Sequence, residues 1–516
     1  MKKIFYIAIA AFALTATSCS EELMETYAPG SLVEETAIQN VNDLQLFLNN
    51  TYNGLGSRSE AEFVSIFTDE VGIGFENGGQ GINDDYVFFL NPLSSGPNSL
   101  WATNYFTIAR TNRILDLAAK LTPTTTADIE KLSKIKAEAL TLRAYCHLRI
   151  LAYFTPNMKD DSALAGIISN RIYTIDDNDY PRNTNGEFYA FIHKDLNDAI
   201  ALYDSVTPTA FSSIYASKIF AQGLKARAYS YKGDYVNAET WANTVMASGL
   251  TLSNYATYPS VFHSESNSVS TEVIFKLKRT ATQNDQGTNL HNAWYNGAPS
   301  AAGAPWYEVS RALFNSLSTN DTRYRTLVSP NSTIDPGYAT AADVRTSDKL
   351  LINKHGGSLV AGGAPWAGTA TNANNNDFKI MRLAEMYLIK AEARVSAGDL
   401  PGAAATLKTL RDNRFNPAQT LPGLPALGTA TVAWKAILDE RRKEFALEGY
   451  RFIDIKRLGV LANSGIDRHP ADYQSTTANY PAGNPSNLPL NSYKWALPIP
   501  VAETNVNTQV QQNIGY

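Results

Sequence analysis

Two carboxylates four residues apart, Glu444 and Glu448, are spaced for acid–base chemistry, and a pair of acids can share the proton-donor and nucleophile roles of glycoside hydrolysis. Here they interleave with arginines at helical intervals, as in Arg441 with Glu444 and Arg451 with Asp454. That spacing braces a helix and its exit loop by roughly a few tenths of a kcal/mol per pair. Bracing is the better reading, and no enzyme is expected. Other catalytic signatures are missing. The six histidines (His147, His193, His263, His291, His355 and His469) are scattered, with no His-Glu-x-x-His pair and no Cys–His cluster for zinc. Gly72 and Gly74 precede nothing like a phosphate loop, and there is no Gly-x-Ser-x-Gly elbow. Asp176, Asp177, Asn178 and Asp179 lack the spacing and closing glutamate of a calcium loop, so they read as a solvated turn. Neither a metal nor a cofactor is expected.

Binding chemistry remains. Trp294, Tyr295, Trp306 and Trp366 sit among Gly, Ala, Pro and Asn, where a large ring has little helical packing to explain it, and Asn289, His291 and Asn292 are beside the first of them. Flat rings with neighbouring amides suit a sugar, which presents apolar C–H faces and a rim of hydroxyls. The alternative for each tryptophan is a plug that fastens its loop to the body. Trp101, at a helix start with helical spacing to Tyr105, reads as core.

These loops need a scaffold, and its plainest signature is Met381 to Arg414. Leu383, Ala384, Tyr387 and Ala391 share one helical face. Gly398 ends that helix, and Asp399 and Pro401 open a second, which carries Ala403, Leu407 and Leu410. An earlier stretch repeats the pattern without a gap: Ala226, Gly233, Asp234 and Ala238 correspond to Ala391, Gly398, Asp399 and Ala403. This is the pattern of a tetratricopeptide helix–turn–helix, whose stacked pairs form a right-handed superhelix. Two unrelated hairpins with a common turn are the alternative. Further helices are expected at 36–52, 101–120, 129–154, 188–203, 213–231, 235–248 and 432–448, with one clear strand at 272–276.

Composition fits an exported body. Forty-nine acids against 44 bases, without a basic block, argue against a nucleic-acid partner. Lys2 and Lys3 precede an apolar run from Ile4 to Leu14, too short to span a bilayer, and small residues lead to Cys19: a signal peptide. A cysteine in that place resembles a bacterial lipobox, which would make Cys19 the lipidated N-terminus. Ordinary cleavage near Ser18 is the alternative. Ser20, Glu21 and Glu22 resemble the surface-export signal of Bacteroidota lipoproteins. Cys146 then has no partner for an intramolecular disulfide and reads as a small core residue.

Motifs along the whole chain resemble those of the SusD/RagB family of outer-membrane lipoproteins. They are Trp101-x3-Tyr105-x2-Ile108-x3-Asn112, Glu138-x4-Arg143-Ala144-Tyr145, and Arg382-x2-Glu385-x5-Ala391-Glu392. They continue with Glu440-Arg441-Arg442-x-Glu444 through Glu448-Gly449, Arg451, Asp454 and Lys456-Arg457. The series closes on Leu497 to Pro500, Glu503, Asn507, Gln512-Asn513 and Gly515-Tyr516. A departure stands at Phe154-Thr155-Pro156-Asn157, where the family usually has glycine after the aromatic.

The resemblance implies an all-α-dominated, tetratricopeptide-like superhelix with long inserted loops and minor β structure. It implies a surface protein, anchored in the outer membrane by its lipid, that binds a nutrient, most often a glycan, and passes it to a SusC-like TonB-dependent transporter. In the family, glycan contacts come from the large insertion and from the loop before the Trp101 helix. Here that loop offers Phe75, Asn77, Asp84, Asp85 and Tyr86. The expected organisation is a signal peptide (1–18), a lipidated linker (19–35), a helical-repeat region with a loop at 70–100 (36–250), a loop-rich insertion (251–378), a second helical-repeat region (379–457) and an irregular tail packed on the solenoid (458–516). A helical-repeat module that binds a protein or peptide on its concave face is the competing function.

Overall fold

The computed structural model of the chain describes residues 37–74, 84–174, 177, 180–263, 272–278, 306–330, 332–341, 347–354, 377–473, 480 and 483–516. Helices α1 (Val41–Tyr52) and α2 (Ser57–Phe67) lead into strand β1 (Val71–Ile73). The long helices follow: α3 (Ser95–Lys120), α4 (Thr126–Phe154), α5 (Asn185–Asp204), α6 (Lys218–Lys232) and α7 (Tyr235–Met246). A stretch of short elements comes next, with α8 (Tyr258–His263), β2 (Val273–Leu277), β3 (Tyr307–Val309), α9 (Arg311–Ser316) and α10 (Thr322–Leu327). Strand β4 (Phe378–Arg382) runs straight into α11 (Leu383–Ser396). The chain ends with α12 (Leu400–Arg414), α13 (Ala430–Phe445), α14 (Arg451–Ala462) and the single turn α15 (Val501–Thr504).

Each long helix packs on the next, from α3 through α7. Across the insertion α7 packs on α11, which meets α12 and α13. This is an all-α, tetratricopeptide-like stack, with one repeat turn inside the helix pair on each side of the α7–α11 contact. Gly233 and Gly398 take φ of +83° and +78°, which a side chain would strain, so glycine is required at both turns. Asp234 and Asp399 then cap α7 and α12, accepting from the backbone N–H groups of Asn237 and Gly402. Ala226, Ala238, Ala391 and Ala403 are all fully buried, which lets the backbones approach closely.

Two small antiparallel ribbons organise the rest. β2 pairs with β4, so the strand after α8 and the strand before α11 close the base of the insertion. β1 pairs with β3, with Val71 opposite Val309 and Ile73 opposite Tyr307.

Several local expectations differ from what forms. Residues 70–100, read as loop from their Gly and Asn content, contain β1 and the first turns of α3. That helix starts at Ser95: Pro97 suits a first turn, and Gly96 lies so close to Phe63 that a Cβ would come within 2.4 Å of the ring. Met381 and Arg382 belong to β4 and not to the helix after it. Helix α2 was not anticipated, and α14 carries regular structure past residue 457 to Ala462. Trp101 and Cys146 are core residues, as expected. The indole N–H of Trp101 donates to Glu503 Oε2 at 3.2 Å, and its ring meets Phe154 edge-on at 4.8 Å. No helix among the described residues is long and apolar enough to cross a membrane.

Candidate functional site

The carboxylates with catalytic spacing are locked in a buried charge lattice. Arg382 donates to Glu272 (2.6 Å), Glu444 (2.7 Å) and Glu448 (2.7 Å). Arg414 reaches Glu272 and Glu444, each at 2.9 Å, and Arg323 reaches Glu440 at 2.6 Å and Glu444 at 3.3 Å. Lys354 completes the lattice on Glu448 at 2.7 Å. Burial alone would raise the pKa of Glu444, but the guanidinium groups of Arg414, Arg382 and Arg323 outweigh it and hold the carboxyl well below the usual range. A general acid needs the opposite shift, so Glu444 is a structural anion.

The short-range pairing expected along this helix is not what forms. Arg441 pairs with Glu392 (3.2 Å) and Asp454 (2.8 Å), while Arg451 pairs with Asp69 (2.7 Å). The physical reason is burial. Arg441, Arg442 and Arg451 face packed neighbouring elements and take their partners from them; Arg457 pairs both with Glu392 on α11 and with Asp454 one turn back on its own helix. The other motifs work the same way. Arg143 bonds Asn112 and Asp195, each at 2.8 Å, tying α4 to α3 and α5. Asn513 donates to the carbonyls of Phe154 and Leu497, fastening the C-terminal phrase to the end of α4.

The β1–β3 ribbon brings together the two regions that carry the aromatic candidates. The N–H of Gly74, where the chain leaves β1, donates to the carbonyl of Trp306 at 2.7 Å. The indole of Trp306 is 40% exposed, whereas its neighbour Tyr307 is buried. Behind it lies a wall of rings. Tyr307 packs on Tyr86 at 6.1 Å, Tyr86 meets Tyr480 edge-on at 6.2 Å, and Tyr480 meets Tyr473 at 5.0 Å.

Arg468 fixes this wall. Its guanidinium lies 3.8 Å from the Tyr86 ring centre and 4.4 Å from that of Phe88. Its N–H groups donate to the carbonyls of Thr68 (2.8 Å), Ile66 (3.0 Å), Phe67 (3.2 Å) and Tyr86. The turn it clamps includes Phe88 at φ +58°, a left-handed conformation that costs a bulky residue on the order of 1–3 kcal/mol and persists only where packing enforces it. Asp84 is exposed at the head of the turn. Asp85 is buried, and its carboxyl is pushed up to about 7 by burial first, then by Asp84 and Glu62. Next to the wall, the Asp472 carboxylate accepts from the N–H of Arg311 at 2.7 Å, and the Arg311 guanidinium lies 3.5 Å over the ring of Tyr338.

Of the residues the sequence singled out, the structure places Trp306 just before β3, and exposed Asp84 with buried Asp85 and Tyr86 on the turn whose Tyr86 packs on Tyr307. Phe75, Asn77, Asn289, Trp294, Tyr295, Trp366 and Cys19 lie outside the described residues. Arg468, Tyr473 and Tyr480 escaped the sequence reading. They fall in an irregular tail with no period to mark a buried face.

Comparison with known proteins gives a consistent set of matches. Residues 330–516 match the family model described as the SusD family, and residues 32–229 match one described as starch-binding associating with outer membrane. Over 143 residues the chain is 31% identical to the starch-binding protein SusD of Bacteroides thetaiotaomicron, a match that covers 28% of this chain and 22% of that protein. Among solved structures, it is similar to a SusD superfamily protein from Bacteroides thetaiotaomicron, with TM-score 0.73 and 24% identity over 92% of this chain and all of that one. A SusD-like carbohydrate binding protein from Bacteroides vulgatus aligns with TM-score 0.70 and 20% identity, over 92% of this chain and 98% of its own. A laminarin binding SusD-like protein aligns with TM-score 0.65 and 22% identity, over 93% of this chain and 100% of its own. At these identities the structural likeness establishes the fold.

Proposed function

Because the chain belongs to the SusD/RagB family, we propose that it is a cell-surface lipoprotein of the outer membrane that captures an oligosaccharide or polysaccharide and passes it to a TonB-dependent transporter. The observation that carries this reading is the β1–β3 ribbon. It ties a half-exposed tryptophan, Trp306, to Gly74 at the end of β1, and its neighbour Tyr307 packs on Tyr86. An exposed ring on a backbone held this way can stack on a sugar face without paying to be ordered at the moment of binding. Asn77, Asn289 and Asp85 would supply hydrogen bonds to hydroxyls, and Trp294, Tyr295, Trp366 and Phe75 further stacking surface. Binding without catalysis fits the commitment of Glu444 and Glu448 to arginine and lysine. Lipid on Cys19 would hold the protein at the membrane.

Affinity electrophoresis across a polysaccharide panel tests this, with the unlipidated chain (Cys19→Ser) run beside Trp294→Ala, Trp306→Ala and Trp366→Ala. Retardation by a glycan that at least one of these substitutions abolishes is expected. Retardation unchanged in all three would move the site elsewhere. Co-purification of a TonB-dependent barrel with the tagged protein tests the transporter partnership, and its absence from native outer membranes would contradict it.

A further inference from the structure

Trp306 hangs on the β1–β3 ribbon, and a pair of three-residue strands is marginal unless something staples it. The end away from Trp306 has such a staple. Ser310, just past β3, donates from its N–H to the carbonyl of Glu70 at 3.0 Å and from its hydroxyl to that of Asp69 at 2.7 Å. One residue further, the N–H of Arg311 donates to Asp472 Oδ1 at 2.7 Å. The same oxygen stands where a side chain at Gly72 in β1 would be, since a Cβ there would come within 2.7 Å of it. One carboxyl group thus spans the ribbon, from Gly72 in β1 to Arg311 just past β3.

Asp472 is itself fixed. It closes a single 3₁₀ turn (Pro470–Asp472), and the N–H of His469 donates to its Oδ2 at 3.1 Å. Its carbonyl accepts from the Tyr86 hydroxyl at 3.4 Å, and Tyr86 packs on Tyr307, the residue after Trp306. The ionisable groups facing the carboxyl are Arg442 of α13, Arg311 of α9, Arg468 and His469 of the tail, and Tyr86 of the turn; β1 itself offers none. Burial outweighs the two N–H bonds and the charges of Arg442 and Arg468, and pushes the carboxyl up to about 7. An aspartate in water titrates near about 3.9, so between these values the seated carboxyl keeps a proton that an unseated one sheds. Seating is therefore strongest in acid. It weakens by up to about tenfold per pH unit on the way to 7 and then levels off, because both forms are ionised above that.

We propose that Asp472 is the positioning residue of the Trp306 site: seated against Gly72 and bonded to Arg311, it holds the ribbon closed and keeps Trp306 where it can stack on a sugar. Its part in binding rests on the capture reading above, but closure of the ribbon is measurable without a glycan. Hydrogen exchange is read by mass spectrometry on peptides covering 68–74 and 306–312. The unlipidated parent (Cys19→Ser) is compared with Asp472→Asn and Gly72→Ala at about pH 5.5 and about pH 7.5, after correction for intrinsic exchange. In the parent, ribbon protection is expected to fall roughly tenfold or more from the lower pH to the higher. Asp472→Asn cannot ionise and should show a smaller change, the remainder coming from Glu70 and Asp85, whose carboxyls burial also raises to about 7. Gly72→Ala, whose Cβ displaces the carboxyl, should exchange faster in the ribbon at both pH values, while α4 and α11 stay as protected as in the parent. Equal ribbon protection in all three chains, or a loss spread evenly over α4 and α11, would overturn the positioning role. Binding is read in the affinity gel above, with laminarin and starch in the panel. Retardation is expected to weaken in Gly72→Ala as it does in Trp306→Ala. Full retardation of a variant whose ribbon has opened would overturn the role in binding. A parent chain that no glycan retards would overturn the capture reading instead, and the exchange data would still decide whether Asp472 closes the ribbon.

Discussion

Arg382 is 1% exposed and serves three glutamates from two distant segments, Glu272 before β2 and Glu444 and Glu448 at and just past the end of α13. Such a residue is a joint, and the protein is built on several: Arg414 between Glu272 and Glu444, Arg457 on Glu392, and Arg451 on Asp69. Removing one partner of a buried pair leaves an uncompensated charge, which typically costs about 3–5 kcal/mol. Arg382→Met is therefore expected to lower the stability read from urea unfolding by about that much, since it takes one guanidinium from three buried carboxylates at once and leaves them to Arg414, Arg323 and Lys354. A loss under about 1 kcal/mol would mean that water or rearrangement satisfies them. The sequence showed that acids and bases recur at helical spacing here, and it read them as bracing. It could not show which acid meets which base, because periodicity reports a helix's own faces, whereas partners are chosen by the element packed against each face.

At the scale of elements, the repeat turns were the most legible part of the chain, because two separate constraints coincide at each of them. A left-handed backbone demands glycine, and the next helix demands an acceptor for its free N–H groups. Asp399→Ala removes the cap on Gly402 and is expected to cost about 1 kcal/mol in the same unfolding measurement, with helix content unchanged. A loss as large as that of Arg382→Met would mean that Asp399 does more than cap. Strands were the least legible elements. β1 and β3 are three residues each, too short for alternation to register, and their pairing joins positions more than two hundred residues apart. The first turns of α3 were hidden by Gly96 and Pro97, which read locally as loop and are explained only by the contact with Phe63. Trp306 was legible as a ring without helical packing. Arg468, which clamps the Tyr86–Phe88 turn, was not, since one arginine in an irregular tail carries no pattern.

For the whole molecule, the helical stack is a rigid support and the two ribbons decide what it holds up. β2–β4 closes the base of the insertion, and β1–β3 carries one end of it to the turn at Asp84–Phe88. The charge lattice sits at the junction of α10, β4, α12 and α13, so the same residues that stabilise the fold also fix where the insertion leaves it. A surface built this way can present rings and hydroxyl partners without any catalytic group. The proposed function seats a glycan at this ribbon. A crystal structure of the unlipidated chain with a glycan that retards it in a gel tests that most directly. A sugar ring stacked on Trp306, within reach of the Asp84–Tyr86 turn, is expected. Sugar bound on the helical stack away from the ribbon, with Trp306 bare, would contradict it.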